Sequence, residues 1–336
     1  MIDATLGRLS AGESLSMDEM AQAVESIMRG EWEDPQIGIL LTALSNKGET
    51  VAEVAGAALA LRRTMVPISS RHEKLLDTCG TGGDASGTFN ISTAAAIVTS
   101  AAGVPVAKHG NRAITSKTGS ADVLSELGIH IDADAERVTK CLDELGICFC
   151  FAPRMHPSMR RVAQVRKQLG FPTIFNLLGP LCNPAGAEFQ LLGVGKAHLR
   201  SLLADALAML QTQRACIVHG EDGLDEVTLA GVTHVSLVTN GTVTEFSWKP
   251  EEFGLVTAPL DSMYVDGPVQ SAALIREILD GAKGPARDVV VLNAAAALYV
   301  ANAAADPMAC ARLAGEALDD GAAKDLLAQL AQRSHA

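Results

Sequence analysis

The segment Asp77-Thr78-Cys79-Gly80-Thr81-Gly82-Gly83-Asp84 follows an apolar, strand-like run. Glycines at 80, 82 and 83 admit positive φ and let backbone amides approach a ligand closely. Shortly after it, Asn90-Ile91-Ser92-Thr93 opens an Ala-rich helix. The first N–H groups and positive dipole end of that helix, with the Ser92 and Thr93 hydroxyls, suit an anion. The spacing is neither a Walker A loop nor the dinucleotide fingerprint, and no Lys follows the glycines. Alone, such a loop is equally a bare tight turn. The end of the next strand-like run supplies more: Lys108-His109-Gly110-Asn111-Arg112, then Thr115-Ser116-Lys117 and Gly119-Ser120. In a parallel sheet the strand C-ends and helix N-ends gather on one rim. Both loops should therefore face one crevice, with Lys108, Arg112 and Lys117 supplying positive charge there.

A third element, Gly220-Glu221-Asp222-Gly223-Leu224-Asp225-Glu226, follows another strand-like run. Its acids repel one another unless a cation lies nearby, and a few hard oxygen ligands suit Mg²⁺ held partly by substrate phosphates. A solvated acidic turn is the alternative. Together the three stretches suggest transfer of a sugar phosphate from a diphosphate leaving group. The sugar would pass through an oxocarbenium-like state, so catalysis would rest on positioning and electrostatic stabilisation. No Ser/His/Asp triad is visible or needed.

The elements that must hold these loops fall into two kinds. The first seventy residues read as helices only. Ser16 with Glu19 and Thr50 with Glu53 are capping boxes, and Asp34-Pro35 opens a helix running to Gly48. From Leu75 onward strands and helices alternate: strands at 75–79, 104–108, 147–152, 189–194 and 214–219, helices at 92–102, 120–127, 134–145 and 197–210. Such alternation implies right-handed crossovers and a mainly parallel sheet. Asn240-Gly241 between two β-rich runs reads as a hairpin turn. The last third returns to helices, with the apolar run Val289–Val300 buried on all sides. Residues 156–186 break the alternation with a basic helix from His156 to Leu169 and then a loop, Phe175–Pro184, rich in breakers. The expected architecture is α/β. A small all-helical domain (1–70, joined by about 160–186) accompanies a large α/β domain (71–336) with a mainly parallel central sheet.

Composition narrows the partners. With 336 residues, 48% hydrophobic and 20% charged, the chain has an ordinary globular balance. A net charge of −12 argues against nucleic acid, which needs a basic face. No apolar stretch is a convincing membrane span, and Met1–Ser10 lacks the pattern of a signal peptide. Seven cysteines without framework spacing fit free thiols in a reducing cytoplasm. Cys148 and Cys150 alternate along one run and read as core thiols, a metal pair being the lesser alternative.

The chain resembles the anthranilate phosphoribosyltransferases. The matching segments are Asp77–Asp84, Asn90–Thr93, Lys108–Arg112, Gly119–Leu124, His156-Pro157 with Met159-Arg160, Phe175–Pro184 and Asp222–Glu226. The resemblance implies phosphoribosyl transfer from phosphoribosyl pyrophosphate to anthranilate in tryptophan biosynthesis, by a homodimer joined through its helical part. It implies that Gly80, Gly83, Asp84, Thr88, Asn90, Ile91, Ser92, Thr93, Lys108 and Ser120 hold phosphoribosyl pyrophosphate. The loop His109, Gly110, Asn111, Arg112, Thr115, Ser116 would close over it, with Lys108 and Arg112 giving electrostatic stabilisation. Ser92, Asp225 and Glu226 would bind Mg²⁺. Gly80, Asn111, His156 and Arg166 would face anthranilate, Arg166 meeting its carboxylate. Neither His109 nor His156 need act as a general base, since an aromatic amine has its own lone pair and loses its proton after attack. Gln164, Pro172 and Thr115 depart from the usual family pattern. The first two border the acceptor pocket, so the same chemistry on another aromatic amine is the main alternative. A pyrimidine nucleoside phosphorylase-like enzyme is a further one.

Overall fold

Helix starts fall where the capping signals place them. The computed structural model describes residues 2–84, 86–113 and 117–336. Four helices come first: α1 (Ile2–Ser10), α2 (Met17–Met28), α3 (Asp34–Lys47) and α4 (Val51–Thr64). Ser16 and Thr50 each accept the backbone N–H three residues on, while Glu19 and Glu53 reach back to the cap residues, closing both capping boxes. Glu53 is fully buried, where it also accepts the Leu15 N–H and pairs with Lys47 at 2.8 Å. That network ties the start of α4 to the end of α3 and to the loop before α2.

The alternating region follows as β1 (Leu76–Gly80), α5 (Ile91–Ala101), β2 (Val106–Gly110), α6 (Ser120–Glu126), α7 (Ala135–Leu145) and β3 (Ile147–Phe151). After a connection through α8 (Ala152–Met155), α9 (Met159–Leu169) and α10 (Phe175–Leu178), the chain returns with β4 (Phe189–Gly193), α11 (His198–Met209) and β5 (Arg214–Gly220). The hairpin β6 (Thr233–Thr239) and β7 (Thr242–Trp248) comes next, with Asn240 and Gly241 at φ 48° and 79°, the primed-turn geometry. Helices α12 (Pro268–Leu279), α13 (Pro285–Val300), α14 (Pro307–Asp319) and α15 (Ala322–His335) close the chain.

The sheet order is β3-β2-β1-β4-β5-β6-β7, parallel from β3 to β5 and antiparallel thereafter. It is the mainly parallel sheet the alternation implies. The chain steps outward from β1 to β2 and β3, then jumps back to β4 on the other side of β1. The order therefore reverses between β1 and β4, and the crevice outside their C-terminal ends is where such sheets bind ligands.

Both faces of the sheet are covered. On β5, Cys216 and Val218 join a core with α5, α13, α14 and α15, whereas Ala215 and Ile217 join α1–α4, α9 and α11. The two-residue period of a strand sorts them. Residues 162–182 contribute Val162, Val165, Ile174, Phe175 and Leu178 to the second core. Cys148 and Cys150 are buried with their sulfurs 3.9 Å apart, as neighbours at i and i+2 on one strand face must be.

Two expectations shift. The basic helix starts at Met159 instead of His156, which sits at φ −124°, ψ 62° because Pro157 disfavours helical geometry before it. The breaker-rich stretch is not an open loop: α10 and a 3₁₀ turn at Gly179–Leu181 pack its side chains inward.

Candidate active site

The glycine loop, the Lys108 segment and the acid pair meet at the switch point. Gly82 and Gly83 take φ 65° and 82°, as the loop requires. Gly80 has no positive φ, and is needed for space instead. A Cβ there would stand 2.9 Å from Asp225 Oδ2, and the Gly82 N–H donates to the same oxygen at 3.1 Å.

The neighbouring strand end makes a tighter demand. A Cβ on Gly193 would lie 1.6 Å from the Asp225 carbonyl oxygen, and one on Gly195 would lie 2.8 Å from the Asp84 amide nitrogen. Neither glycine stands out in the sequence as a site residue. The signal is only that Gly193 ends, and Gly195 closely follows, an all-buried strand beside β1.

The start of α5 is already engaged. The Ser92 N–H donates to Glu226 Oε1 at 3.0 Å, so a side-chain carboxylate lies at the positive helix end. Lys108 is only 4% exposed; its ammonium donates to the Thr78 carbonyl at 2.6 Å and to Ser92 Oγ at 3.2 Å. Arg112 lies outside, paired with Asp122 at 2.7 Å, and Lys117 meets Asp266 at 3.3 Å. Of the three cations expected at the crevice, Lys108 is the one placed against Ser92 and Glu226.

Asp225 and Glu226 are half-buried carboxyls in each other's field. Burial first, then the charge of Asp84, raises the Asp225 pKa to about 7. Burial and then Asp225 push Glu226 well above the usual carboxylate range, against the pull of Lys108. Burial lowers the Lys108 pKa, although Asp77 and Glu226 oppose the shift. These hard oxygens, crowded and short of countercharge, fit a divalent cation. Among the described residues no three His, Cys, Asp or Glu form a preformed cage. That donor set matches an ion such as Mg²⁺, which keeps waters and takes its remaining ligands from substrate phosphate.

The other expected residues border this centre. Thr88 bridges to Tyr264, Asn90 caps α5 and bonds the Thr93 hydroxyl, and Ile91 is buried. Ser120 Oγ, at the N-terminus of α6, donates to the Asn111 carbonyl and sits where a Cβ on Gly110 would collide. Thr115 and Ser116 lie outside the described residues.

A second pocket wall is aromatic and basic. The His109 and His156 rings lie 5.2 Å apart. Because a carbonyl only accepts, His109 carries its proton on Nδ1, which donates to the Gly179 carbonyl at 3.0 Å. The His156 ring faces the Cys182 backbone, and Nε2 of both rings is buried without a partner. Arg166 donates to Asn176 Oδ1 at 3.1 Å and lies 5.9 Å from the Phe175 ring centre.

Burial, then His156, lowers the His109 pKa to about 3, and burial lowers that of His156 to about 4. Both rings are neutral at pH 7, too weak as bases to hold a proton there. Since the folded values lie below the unfolded one, about 6.5, their contribution is complete above pH 6.5 and is lost as pH falls towards 4 and 3. The variant His109→Asn keeps a donor for Gly179. Its thermal midpoint should fall less steeply than wild type from pH 6.5 to 4; parallel curves would show that His109 is not buried in its neutral form.

Comparison with known proteins agrees with this layout. Residues 72–324 match the glycosyl transferase family α/β domain, and residues 4–65 match the helical bundle domain of the same family. An anthranilate phosphoribosyltransferase of Rhodopirellula baltica is 47% identical over 321 residues, 96% of this chain and 94% of the relative. The chain belongs to the anthranilate phosphoribosyltransferase family. The family structure from Thermus thermophilus superposes with a TM-score of 0.93 at 42% identity, covering 99% of each chain. The Saccharomyces cerevisiae family member, in complex with PRPP and Mg, gives 0.90 at 28% identity over 99% of this chain and 98% of that one.

Proposed function

We propose that this chain transfers the phosphoribosyl group of phosphoribosyl pyrophosphate to anthranilate, giving N-(5-phosphoribosyl)anthranilate and pyrophosphate. The carrying observation is the convergence of the Gly80–Gly82 loop end, Ser92, Lys108 and the Asp225-Glu226 pair on one crevice. There Ser92 bridges Lys108 to Glu226, and Gly82 donates to Asp225.

In this reading the glycine loop from Gly80 to Asp84, with Thr88 to Thr93, Lys108 and Ser120, cradles the phosphoribosyl pyrophosphate. The segment His109–Arg112 covers it, Arg112 exchanging its Asp122 pairing for the diphosphate. Ser92, Asp225 and Glu226 hold Mg²⁺, which when bound supplies positive charge to the leaving diphosphate. Gly80, Asn111, His156 and Arg166 orient the aromatic amine, Arg166 through its carboxylate. The bond from ribose C1 to diphosphate oxygen breaks and a C1–N bond forms. The amine then releases its proton. The unprotonated Nε2 atoms of His109 and His156 accept N–H bonds from the acceptor and fix its lone pair on C1. The same reading places the chain in the cytoplasm as a homodimer; no helix among the described residues is long and apolar enough to cross a membrane.

Loss of anthranilate fluorescence on mixing with phosphoribosyl pyrophosphate and Mg²⁺ tests this directly. The double variant Asp225→Asn, Glu226→Gln should lose turnover on the order of 10²-fold or more. Its thermal midpoint should hold or rise, because two half-buried, crowded carboxyls become amides. Full turnover in the variant would remove the metal assignment. Persistent fluorescence with wild type, but turnover of a substituted analogue, would move the acceptor to another aromatic amine.

A further inference from the structure

Three successive carbonyls, Gly179 to Leu181, are each held by a side chain from a different part of the fold, and the next, Cys182, faces His156. His109, at the end of β2, donates to Gly179 at 3.0 Å, and Gln190 on β4 donates to Pro180 at 2.5 Å. Arg62 on α4 donates through Nε to Leu181 at 2.7 Å, and the His156 ring faces the Cys182 backbone. The two histidines stand on the acceptor side of the turn. Arg62 and Gln190 stand behind it.

The turn is backed by packed side chains only in part: Leu181 and Cys182 are buried in the second core, whereas Pro180 borders a cavity. A cavity of about 150 Å³ is lined by Arg62, Pro180, Asn183, Gln190 and Thr212. On that side contact alone does not hold the turn, so the donors that reach it there matter more. Gln190 is buried, and its amide nitrogen also reaches Cys79 Sγ at 3.1 Å, beside Gly80. Burial opposes the Arg62 charge, and no carboxylate among the described residues offsets it. Its clearest polar commitment is the Leu181 carbonyl.

We propose that Arg62 and Gln190 are positioning residues for the acceptor pocket. By holding the Pro180 and Leu181 carbonyls from behind, they fix those of Gly179 and Cys182. Those two carbonyls set which nitrogen of His109 and His156 bears the proton and where each ring points. The chain of contacts runs from the helical unit and β4, through one turn, to the two rings that meet the amine. The inference rests on the proposed acceptor site, and it names two residues outside that site which set its specificity.

The test uses Arg62→Ala, Arg62→Lys and Gln190→Leu in the full-length protein. Arg62→Ala and Gln190→Leu should raise the KM for anthranilate about tenfold, the effect of roughly one lost hydrogen bond. The KM for phosphoribosyl pyrophosphate should stay within about twofold by the same reckoning, and kcat should change less than the anthranilate KM. Arg62→Lys, which retains a donor, should recover much of the loss. The ¹⁵N resonances of the two imidazoles give a readout that needs no turnover. Wild type should show both rings protonated at Nδ1 alone, and the Ala and Leu variants a mixture of tautomers. A variant with a lower thermal midpoint but unchanged anthranilate KM and ring resonances would make Arg62 and Gln190 purely structural. Both KM values rising together would equally overturn the proposal. If wild type fails to convert anthranilate, the functional reading falls, while the ring resonances still decide the positioning claim.

Discussion

Replacing Gly193 with alanine should leave a folded protein that transfers almost no phosphoribosyl group. The added Cβ would stand 1.6 Å from the carbonyl oxygen of Asp225 and 2.5 Å from its carbonyl carbon, separations that no rotamer relieves because both partners are backbone. One strand end must recede. Gly193 is hydrogen-bonded in register with Gly80, and its own carbonyl accepts the Thr81 N–H at 2.9 Å, so β4 cannot move without the glycine loop. If the 225–226 segment moves instead, its carboxyls leave the Gly82 and Ser92 amides. A misplacement of about 1 Å costs on the order of 10²-fold in rate, and this substitution imposes at least that. The stability cost is that of overpacking one methyl, about 1–3 kcal/mol, which a domain with so large a core survives. Steady-state kinetics, a Mg²⁺ titration and a thermal melt together check the claim. The expected pattern is a modest drop in midpoint, a large drop in kcat and a Mg²⁺ dependence displaced to higher concentration. An active protein with ordinary Mg²⁺ dependence would show that the acids do not depend on this approach.

The case of Gly193 shows where sequence reasoning runs out. Features that depend on neighbours along the chain are legible: Ser16 with Glu19 and Thr50 with Glu53 announce helix starts, and the Asn240-Gly241 pair announces a hairpin. Alternation announces the parallel sheet, and the rim rule brings Gly80, Ser92 and Lys108 together without coordinates. Features that depend on one segment approaching another are not. Gly80 is explained by a side chain far along the chain, not by its own φ. Lys108 looks like a cation for ligand, yet it is folded under the start of α5 and held by the Thr78 carbonyl. Arg62 and Gln190 look like a helix-surface Arg and a strand polar residue, and only the turn they hold gives them meaning. The stretch Phe175–Pro184 reads as loop because Gly179, Pro180, Asn183 and Pro184 are breakers. It becomes compact because side chains from three other segments, His109, Gln190 and Arg62, satisfy its carbonyls.

Asn293 is the sharpest instance, and it yields the second large expectation. In the sequence it merely interrupts the apolar run of α13. In the fold it is fully buried and uses its whole amide: Oδ1 accepts the Val227 N–H, and Nδ2 donates to the Val227 and Val289 carbonyls, each at 2.9 Å. It thus pairs with Val227 as a strand neighbour would, one residue beyond Glu226, and anchors the acid pair to the helix behind the sheet. Asn293→Leu keeps the volume but orphans the Val227 N–H and carbonyl in a dry interior, at about 1–3 kcal/mol for each group. The thermal midpoint should fall by several degrees. Below that midpoint the Mg²⁺ concentration for half-maximal rate should rise about tenfold, because the 225–226 carboxyls lose their anchor. Asn293→Asp separates hydrogen bonding from shape. Its carboxylate would face two carbonyls, so burial raises its folded pKa above the unfolded value of about 3.9 and only the protonated form can donate. A raised carboxyl pKa gives stability that is present at low pH and is lost as pH rises through the folded value. The Asp variant should therefore lie closer to wild type at pH 5 than at pH 8. If the Leu variant melts with wild type and needs no more Mg²⁺, the anchor lies elsewhere and Asn293 is only a tolerated polar group in an apolar helix.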